Sequence, residues 1–391
     1  MTAYPRSAGD PIVPWLVELI AHLRSRGIDS EVFTSAYRGG GNDSYNGVPI
    51  VRFRYFPARW ERLTHEENAA DRTGRSPIYA LAALCYVVCG ALAIRRLIRR
   101  RRYDVVHVHW PVPHAVFGWV ARHSRNHPAL VTTYYGAELR VAARSRILTA
   151  LLRLGARISA VNVAISRHTA ADLARVTERP VEIIPYSAAV ALAPRAEGAR
   201  LERPFTLLFV GRLVARKGVH VLLRALQRPE LAAARLEIVG DGPERESLTM
   251  QAAREGLSSR VSFAGRVSDE ELRAAYARAD AFVLPAVEDA RGDTEGLGVV
   301  LLEAMSYRVP VVASRSGGIE DVVVDGTTGF LVPAGDAEAL AAAIARLGSD
   351  PELRSRLGEA GRERLESEFA WDRIAERWVR VYERAVTEAR S

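Results

Sequence analysis

Lysine is nearly absent from this chain of 391 residues: of its 54 basic side chains, 53 are arginine, and the exception is Lys217. Cysteine is almost as scarce. Cys85 and Cys89 are not in a C-x-x-C arrangement and both lie in an apolar run, which excludes a disulfide framework and fits a reduced, cytoplasmic protein. Residues 1–30 lack a basic start followed by an unbroken apolar stretch, so no secretory signal is read there. Zinc-finger spacing and RNA-binding signatures are missing, and nucleic acid is not an expected partner. The patterns G-x-x-x-x-G-K-[ST] and G-x-G-x-x-G are missing too, which argues against a kinase and a dehydrogenase. Long hydrophobic runs are limited to one, the seventeen uncharged residues from Ile78 to Ile94.

What is present describes a globular chain. Apolar residues make up 48%, and the length suggests two domains. Charge is divided unevenly. Residues 1–200 hold 28 Arg against 15 Asp and Glu, whereas the remainder holds 26 basic and 31 acidic residues. Two domains facing different partners follow from that division; for the basic half, charge by itself would admit nucleic acid, which the missing signatures count against, as well as an anionic acceptor or a membrane surface. The run Ile78 to Ile94 leads into six arginines between Arg95 and Arg102. A buried helix with a solvated basic end is the first reading. The second is a helix lying on an anionic membrane surface from Ile78 to Arg102, peripheral on the cytoplasmic face. A span comes last, because seventeen residues are at the lower limit and a strand follows at once.

Helix periodicity covers Pro11 to Arg26, and a β-run, Glu31 to Thr34, comes after it. Further strands are read at Pro49–Arg54, Asp104–His109, Pro128–Tyr134, Ser159–Ile165 and Val181–Pro185. His107 and His109 share a face of their strand. Val190 to Pro204, rich in Ala, Pro and charge, reads as a linker. Six strands alternate with helical runs from Phe205 to Val332, the signature of a doubly wound parallel sheet that binds ligands beyond its strand carboxyl ends. The tail from Phe369 to Val386 is an amphipathic helix.

Two stretches carry chemistry. In Phe209-Val-Gly211-Arg212-Leu-Val-Ala-Arg-Lys217-Gly218, a glycine turn at a strand end brings the backbone near a phosphate, and Arg212 and Lys217 neutralise it. A lone lysine in a chain that otherwise uses arginine suggests a steric demand there. The second stretch, Asp293-Thr-Glu295-Gly296-Leu297-Gly298-Val-Val-Leu-Leu-Glu303-Ala-Met305, follows a short buried strand. Its glycines open a helix where free N–H groups attract anions. Glu295 projects from the loop, and Glu303 lies about two turns into the helix, placed to accept hydrogen bonds from a polyol. Gly240-Asp-Gly242-Pro243 reads as a structural turn, and Gly317-Gly318 as a packing turn that opens a helix.

Glu295 and Glu303 match the E-x7-E signature of the retaining glycosyltransferases of family 4, and the chain resembles that family over almost its whole length, most specifically from Phe205 to Pro333. The resemblance implies an α/β chain of the GT-B fold, with two Rossmann-like doubly wound domains facing a central cleft and a C-terminal helix crossing back. The implied domains are 1–189 for the acceptor, a linker at 190–204, 205–368 for the nucleotide sugar, and the returning helix at 369–391. The implied reaction moves a sugar from a UDP- or GDP-linked donor to a glycan, lipid-linked or small-molecule acceptor with retention, in polysaccharide or cell-envelope biosynthesis. No cofactor and no metal are expected. Gly211, Arg212 and Lys217 would hold the diphosphate, the backbone at Arg266 and Val267 the base, Glu303 the ribose, and Glu295 with Gly296, Leu297 and Gly298 the sugar. Gly9, His109, His114, Tyr135 and Gly136 would line the acceptor cleft. The sequence departs from the family at Tyr135, where a histidine facing the reacting sugar is common, and at Pro185-Tyr186-Ser187, where Pro-Asn-Gly is common. A phenol donates a hydrogen bond but is a poor base at neutral pH. The family's first strand runs directly into the segment matching Thr2 to Arg6, so the expectation is a first domain whose opening strand is missing. Two alternatives stay open: a nucleotide-sugar epimerase of the same fold, and a membrane or nucleic-acid binding protein with a degenerate transferase site.

Overall fold

The structure is a computed structural model that describes residues 3–7, 10, 12–63, 76–188 and 204–390. Gly9 and nearly all of the linker expected at 190–204 lie outside the described residues. The chain forms two compact units, Met1–Ile184 with Ile374–Ser391, and Pro185–Arg373.

The first unit holds β1 (Val32–Ser35), β2 (Asp43–Tyr45), β3 (Val48–Phe53), β4 (Val105–His109), β5 (Ala129–Tyr134), β6 (Val161–Ala164) and β7 (Val181–Ile183). Its helices begin with α1 (Pro14–Arg24), α2 (Pro77–Arg100), α3 (Pro111–Arg122), α4 (Ala137–Ala143), α5 (Arg146–Ile158) and α6 (Arg167–Ala174). The strands make two separate sheets, β1-β3-β2 and β4-β5-β6-β7. Every pairing is parallel except β2 with β3. Those two form a hairpin on Asn46-Gly47, both at positive φ, the mirror-image turn that such a dipeptide favours. All residues of β5 and β6 are buried, as expected of strands covered on both faces.

The helix over the long apolar run corrects the first expectation made for it. α2 buries only one stripe, Ala82, Tyr86, Gly90, Ile94 and Ile98, which packs on Phe53, Tyr55 and Phe117. Gly90 is required there, because a Cβ would meet the Phe117 ring at 2.3 Å. The other face is not buried: Leu81, Leu84, Val88 and Leu92 are 52%, 61%, 50% and 46% exposed. Among the described residues it is the one helix long and apolar enough to cross a membrane.

The second unit holds β8 (Thr206–Val210), β9 (Arg235–Val239), β10 (Val261–Gly265), β11 (Ala281–Leu284), β12 (Val311–Ser314) and β13 (Gly329–Val332). They form one parallel sheet in the order β10-β9-β8-β11-β12-β13. Its helices are α7 (Val219–Ala225), α8 (Arg245–Arg254), α9 (Asp269–Arg278), α10 (Val299–Ser306), α11 (Ile319–Val322), α12 (Ala337–Ser349) and α13 (Pro351–Arg364). Chain direction across the sheet reverses at β8, which pairs with both β9 and β11. A crevice for ligands opens at such a switch point. The last helix, α14 (Trp371–Arg390), belongs from Ile374 to the first unit. It buries Ile374, Ala375, Trp378, Val381 and Ala385, and its Tyr382 hydroxyl lies 2.9 Å from Nδ1 of His107.

Candidate active site

The switch point of the second unit brings both motifs together. Gly211 leaves β8 with its N–H bonded to Val239 O, and Arg212 beside it is exposed. A turn over Ala215–Lys217 ends at Gly218, which has φ +68° and would place a Cβ 1.8 Å from Pro285 O. Only glycine lets this turn pass so close to the chain leaving β11. Lys217 is 8% exposed, and its Nζ is 2.7 Å from Oε2 of Glu295, itself 8% exposed. Arg216 Nη1 donates to the same oxygen at 2.8 Å, and its Nε is 3.4 Å from Asp293. Burial alone would raise the Glu295 pKa, but Lys217 and Arg216 outweigh it and hold the carboxyl below its ordinary value. The carboxylate is therefore ionised at neutral pH and neutralises the two cations of the turn that follows β8.

Glu303 occupies the fifth position of α10, because the helix begins only at Val299 behind Gly298 in the left-handed region. It is thus about one turn in, not two. The Tyr276 hydroxyl donates to its Oε2 at 2.6 Å, and burial raises its pKa. Gly317 and Gly318 sit where a Cβ would lie 2.0 Å from Glu295 O and 2.1 Å from Gly296 O. They pack the β12 loop against the Glu295 loop, as does Gly242 against Leu213 O at 2.2 Å. Leu297 is fully buried. Arg266 and Val267 follow β10, with Arg266 exposed, and Gly240 N donates to Gly265 O at 2.7 Å to tie that turn to the centre of the sheet.

A second cluster forms in the first unit at the carboxyl ends of β4 and β5. His109 Nδ1 is 2.6 Å from the Tyr135 hydroxyl, and Trp110 stacks on the Tyr135 ring at 4.3 Å. Gly136 follows at φ +96° and caps α4. His114 is 1% exposed. Its Nδ1 faces the carbonyl oxygen of Trp110 at 2.6 Å, so Nδ1 donates and Nε2 accepts from the Tyr86 hydroxyl at 2.9 Å. Both nitrogens are engaged, and the structure places His114 in the packing behind the strand end. Burial lowers the pKa of His107 and His114 to about 3, and that of His109 well below its ordinary value.

Sequence reasoning assigned no role to Arg216, Asp293, Tyr276 or Glu138. Arg216 was detectable as the neighbour of Lys217. Tyr276 reaches Glu303 from another helix, a contact no spacing encodes. Glu138 accepts from Tyr135 N at 2.6 Å, and burial raises its pKa to about 7.

Two Rossmann-like units, one with cations and carboxylates gathered at its switch point, define the nucleotide-sugar class of GT-B proteins. The model described as "Glycosyltransferase Family 4" matches residues 14–187, and "Glycosyl transferases group 1" matches 193–364. The GDP-mannose-dependent alpha-(1-6)-phosphatidylinositol monomannoside mannosyltransferase of Mycolicibacterium smegmatis is 33% identical over 85% of this chain and 92% of its own. The D-inositol 3-phosphate glycosyltransferase of Streptomyces scabiei is 30% identical over 96% of this chain and 86% of its own. Among solved structures, sucrose-phosphate synthase from Thermosynechococcus elongatus superposes with a TM-score of 0.76 at 23% identity, covering 96% of this chain and 93% of that one. The chain belongs to glycosyltransferase family 4. It is an enzyme that transfers a hexosyl group from a nucleotide sugar.

Proposed function

We propose that the chain transfers a hexose from a GDP- or UDP-linked donor, with retention and without a metal ion, to a lipid-linked or inositol-containing acceptor. The observation that carries this is the meeting of Lys217, Arg216 and Glu295 at the switch point, with Glu303 on the adjoining helix. Arg212 and Lys217 take the diphosphate charge that a divalent cation neutralises in other transferases. Arg216 adds a third cation. Glu303 accepts from the ribose hydroxyls, and Glu295 with the backbone at Gly296 to Gly298 holds the transferred sugar. The diphosphate takes the acceptor's proton on the face it leaves, so no protein carboxylate attacks carbon. Arg266 and Val267 offer backbone atoms to the base. Two relatives whose names specify inositol-based acceptors support that acceptor class.

His109 and Tyr135 serve the acceptor side, with Tyr135 donating a hydrogen bond where a base is common in the family. The exposed apolar face of α2 and its arginines rest on an anionic membrane, which brings a lipid-linked acceptor to the enzyme.

The test is the anomeric configuration of the product, with Lys217→Ala alongside. The product should keep the donor's configuration with a chelator present. Lys217→Ala should lose a charge-assisted bond of about 1.5–3 kcal/mol, roughly 10- to 150-fold in donor affinity. An inverted product, a glycosyl ester trapped on Glu295 or Glu303, or unchanged turnover in the variant would overturn the reading.

A further inference from the structure

The first unit gathers arginines at the end of its sheet away from His109 and Tyr135. Ser159 and Ala160 run into β6, and Arg179 stands just before β7, so this is the amino end of the strands. β5 spans six residues and sets the two ends about 20 Å apart. A cavity of about 310 Å³ lies at this amino end. Three arginines line it from three elements: Arg122 ends α3, Arg157 lies in the last turn of α5, and Arg179 comes from the loop before β7. The one carboxylate in the lining is Glu388 of α14, which also lies 3.9 Å from Arg384.

Elsewhere in this unit arginines pair with carboxylates, as Arg52 does with Asp43 and Arg54 with Glu61. Among the described residues, Arg122, Arg157 and Arg179 have no such partner. An arginine in the last turn of a helix complements the carbonyls there, which accounts for Arg122 and Arg157 one at a time. It does not account for their meeting with Arg179, which belongs to no helix and donates from Nη2 to the Ser159 carbonyl at 3.2 Å. Nor does it account for Nη1 of Arg122, which is buried and has no hydrogen-bond partner. A buried donor without an acceptor is costly, and like charges around one cavity repel. An anion with several acceptor oxygens relieves both penalties at once.

We infer that this cavity binds a phosphate group, either free phosphate or the phosphate of a lipid headgroup. The guanidinium fork matches two phosphate oxygens at a time. Arg122 supplies the buried donor, Arg157 the exposed one, and Arg179 a fork already held in place by Ser159. The volume stands at the lower end of the range for small-molecule sites, about 300–1,000 Å³, so it takes a phosphate with the first atoms of the alcohol it esterifies. A lipid source is open because Asn126 donates to Ile98 O at 3.2 Å, which ties this end of the sheet to the arginine-bearing end of α2. The site lies in the first unit alone and is independent of the donor site in the second.

Inorganic phosphate is titrated calorimetrically into the full chain as the parent, as Arg157→Gln, and as Arg122→Gln combined with Arg157→Gln. Any phosphate bound in the second unit is common to all three proteins, so the difference between them reads this cavity. Arg157 is exposed, and Arg157→Gln should melt as the parent does while binding phosphate here about tenfold more weakly. The double variant should lose the site, and Arg157→Lys, which keeps the charge without the fork, should fall between parent and Arg157→Gln. In the parent, phosphate should slow amide exchange at Ser159 and Ala160. Turnover on a soluble acceptor should be the same in all of them, which separates this result from the transferase reading. Two sets of vesicles identify the source, phosphatidylcholine mixed equally with phosphatidic acid or with phosphatidylserine. Weaker sedimentation of the double variant with phosphatidic acid alone assigns the lipid headgroup; an equal change with both, or none, assigns free phosphate. Identical phosphate isotherms in the parent and both glutamine variants would overturn the inference, as would phosphate binding that leaves exchange at Ser159 and Ala160 untouched.

Discussion

Glu295 balances two cations before any phosphate arrives. Lys217 is nearly buried, and its ammonium has Glu295 as its carboxylate partner at 2.7 Å, with the Arg216 guanidinium on the same oxygen. A buried charge that loses its partner is costly, about 3–5 kcal/mol in strongly desolvated cases. Glu295→Gln should therefore lower the melting temperature of the unliganded protein. The same change leaves the cations in excess, so a nucleoside diphosphate, which restores the balance, should raise the melting temperature of Glu295→Gln more than that of the parent. Turnover should fall, because the sugar loses an acceptor. Thermal shift with and without UDP or GDP reads both signs, and equal ligand-induced shifts in the two proteins would refute the balance.

At the scale of an element, α2 is amphipathic in an unusual sense. One face is apolar and packed, the other apolar and exposed, and its end carries Arg95, Arg96, Arg99 and Arg100, all exposed. Water disfavours such a face, and an anionic leaflet offers both acyl chains for the leucines and headgroups for the arginines, at about 1 kcal/mol for each arginine near the surface. The protein should sediment with anionic vesicles at low salt and release as salt rises. Leu84→Glu combined with Val88→Glu should abolish sedimentation and leave turnover on a soluble acceptor unchanged, since both side chains point away from the core. Wild-type protein that stays in the supernatant at low salt would refute the membrane assignment.

For the molecule as a whole, the first unit carries an acid-sensitive core. His107, His109 and His114 are neutral in the folded state well below pH 6 because burial opposes their charge. An unfolded histidine takes its proton near pH 6.5. Between pH 6.5 and about 3 the unfolded chain binds protons that the folded chain does not, so each histidine makes stability fall as pH drops through that window. The slope is about 1.4 kcal/mol per pH unit per group. Replacing His114 by Gln should flatten the pH dependence of the urea-unfolding free energy by about that amount between pH 4 and 6. An unchanged slope would mean that His114 already carries its proton in the folded protein.

Local patterns determined much of this protein. Alternating strands and helices specified a doubly wound second domain, because a βαβ unit needs a dozen or more residues and leaves a visible period. The order of the glycine-rich turn and the two glutamates specified the family, and Lys217 stood out by being alone. The hairpin at Asn46-Gly47 was legible and went unread. What tertiary structure decided are contacts between residues distant in sequence. Arg216 and Lys217 meet Glu295 only because β8 and β11 are neighbours at a switch point, and Tyr276 finds Glu303 only because two helices pack. The long apolar run read as buried because hydrophobicity is a property of residues. Which face of α2 met Phe117 and which met solvent depended on where β3 and α3 lay. Burial, and the histidine and carboxylate pKa values that follow from it, likewise belong to the assembled fold, since desolvation is set by neighbours that the chain brings together only on folding.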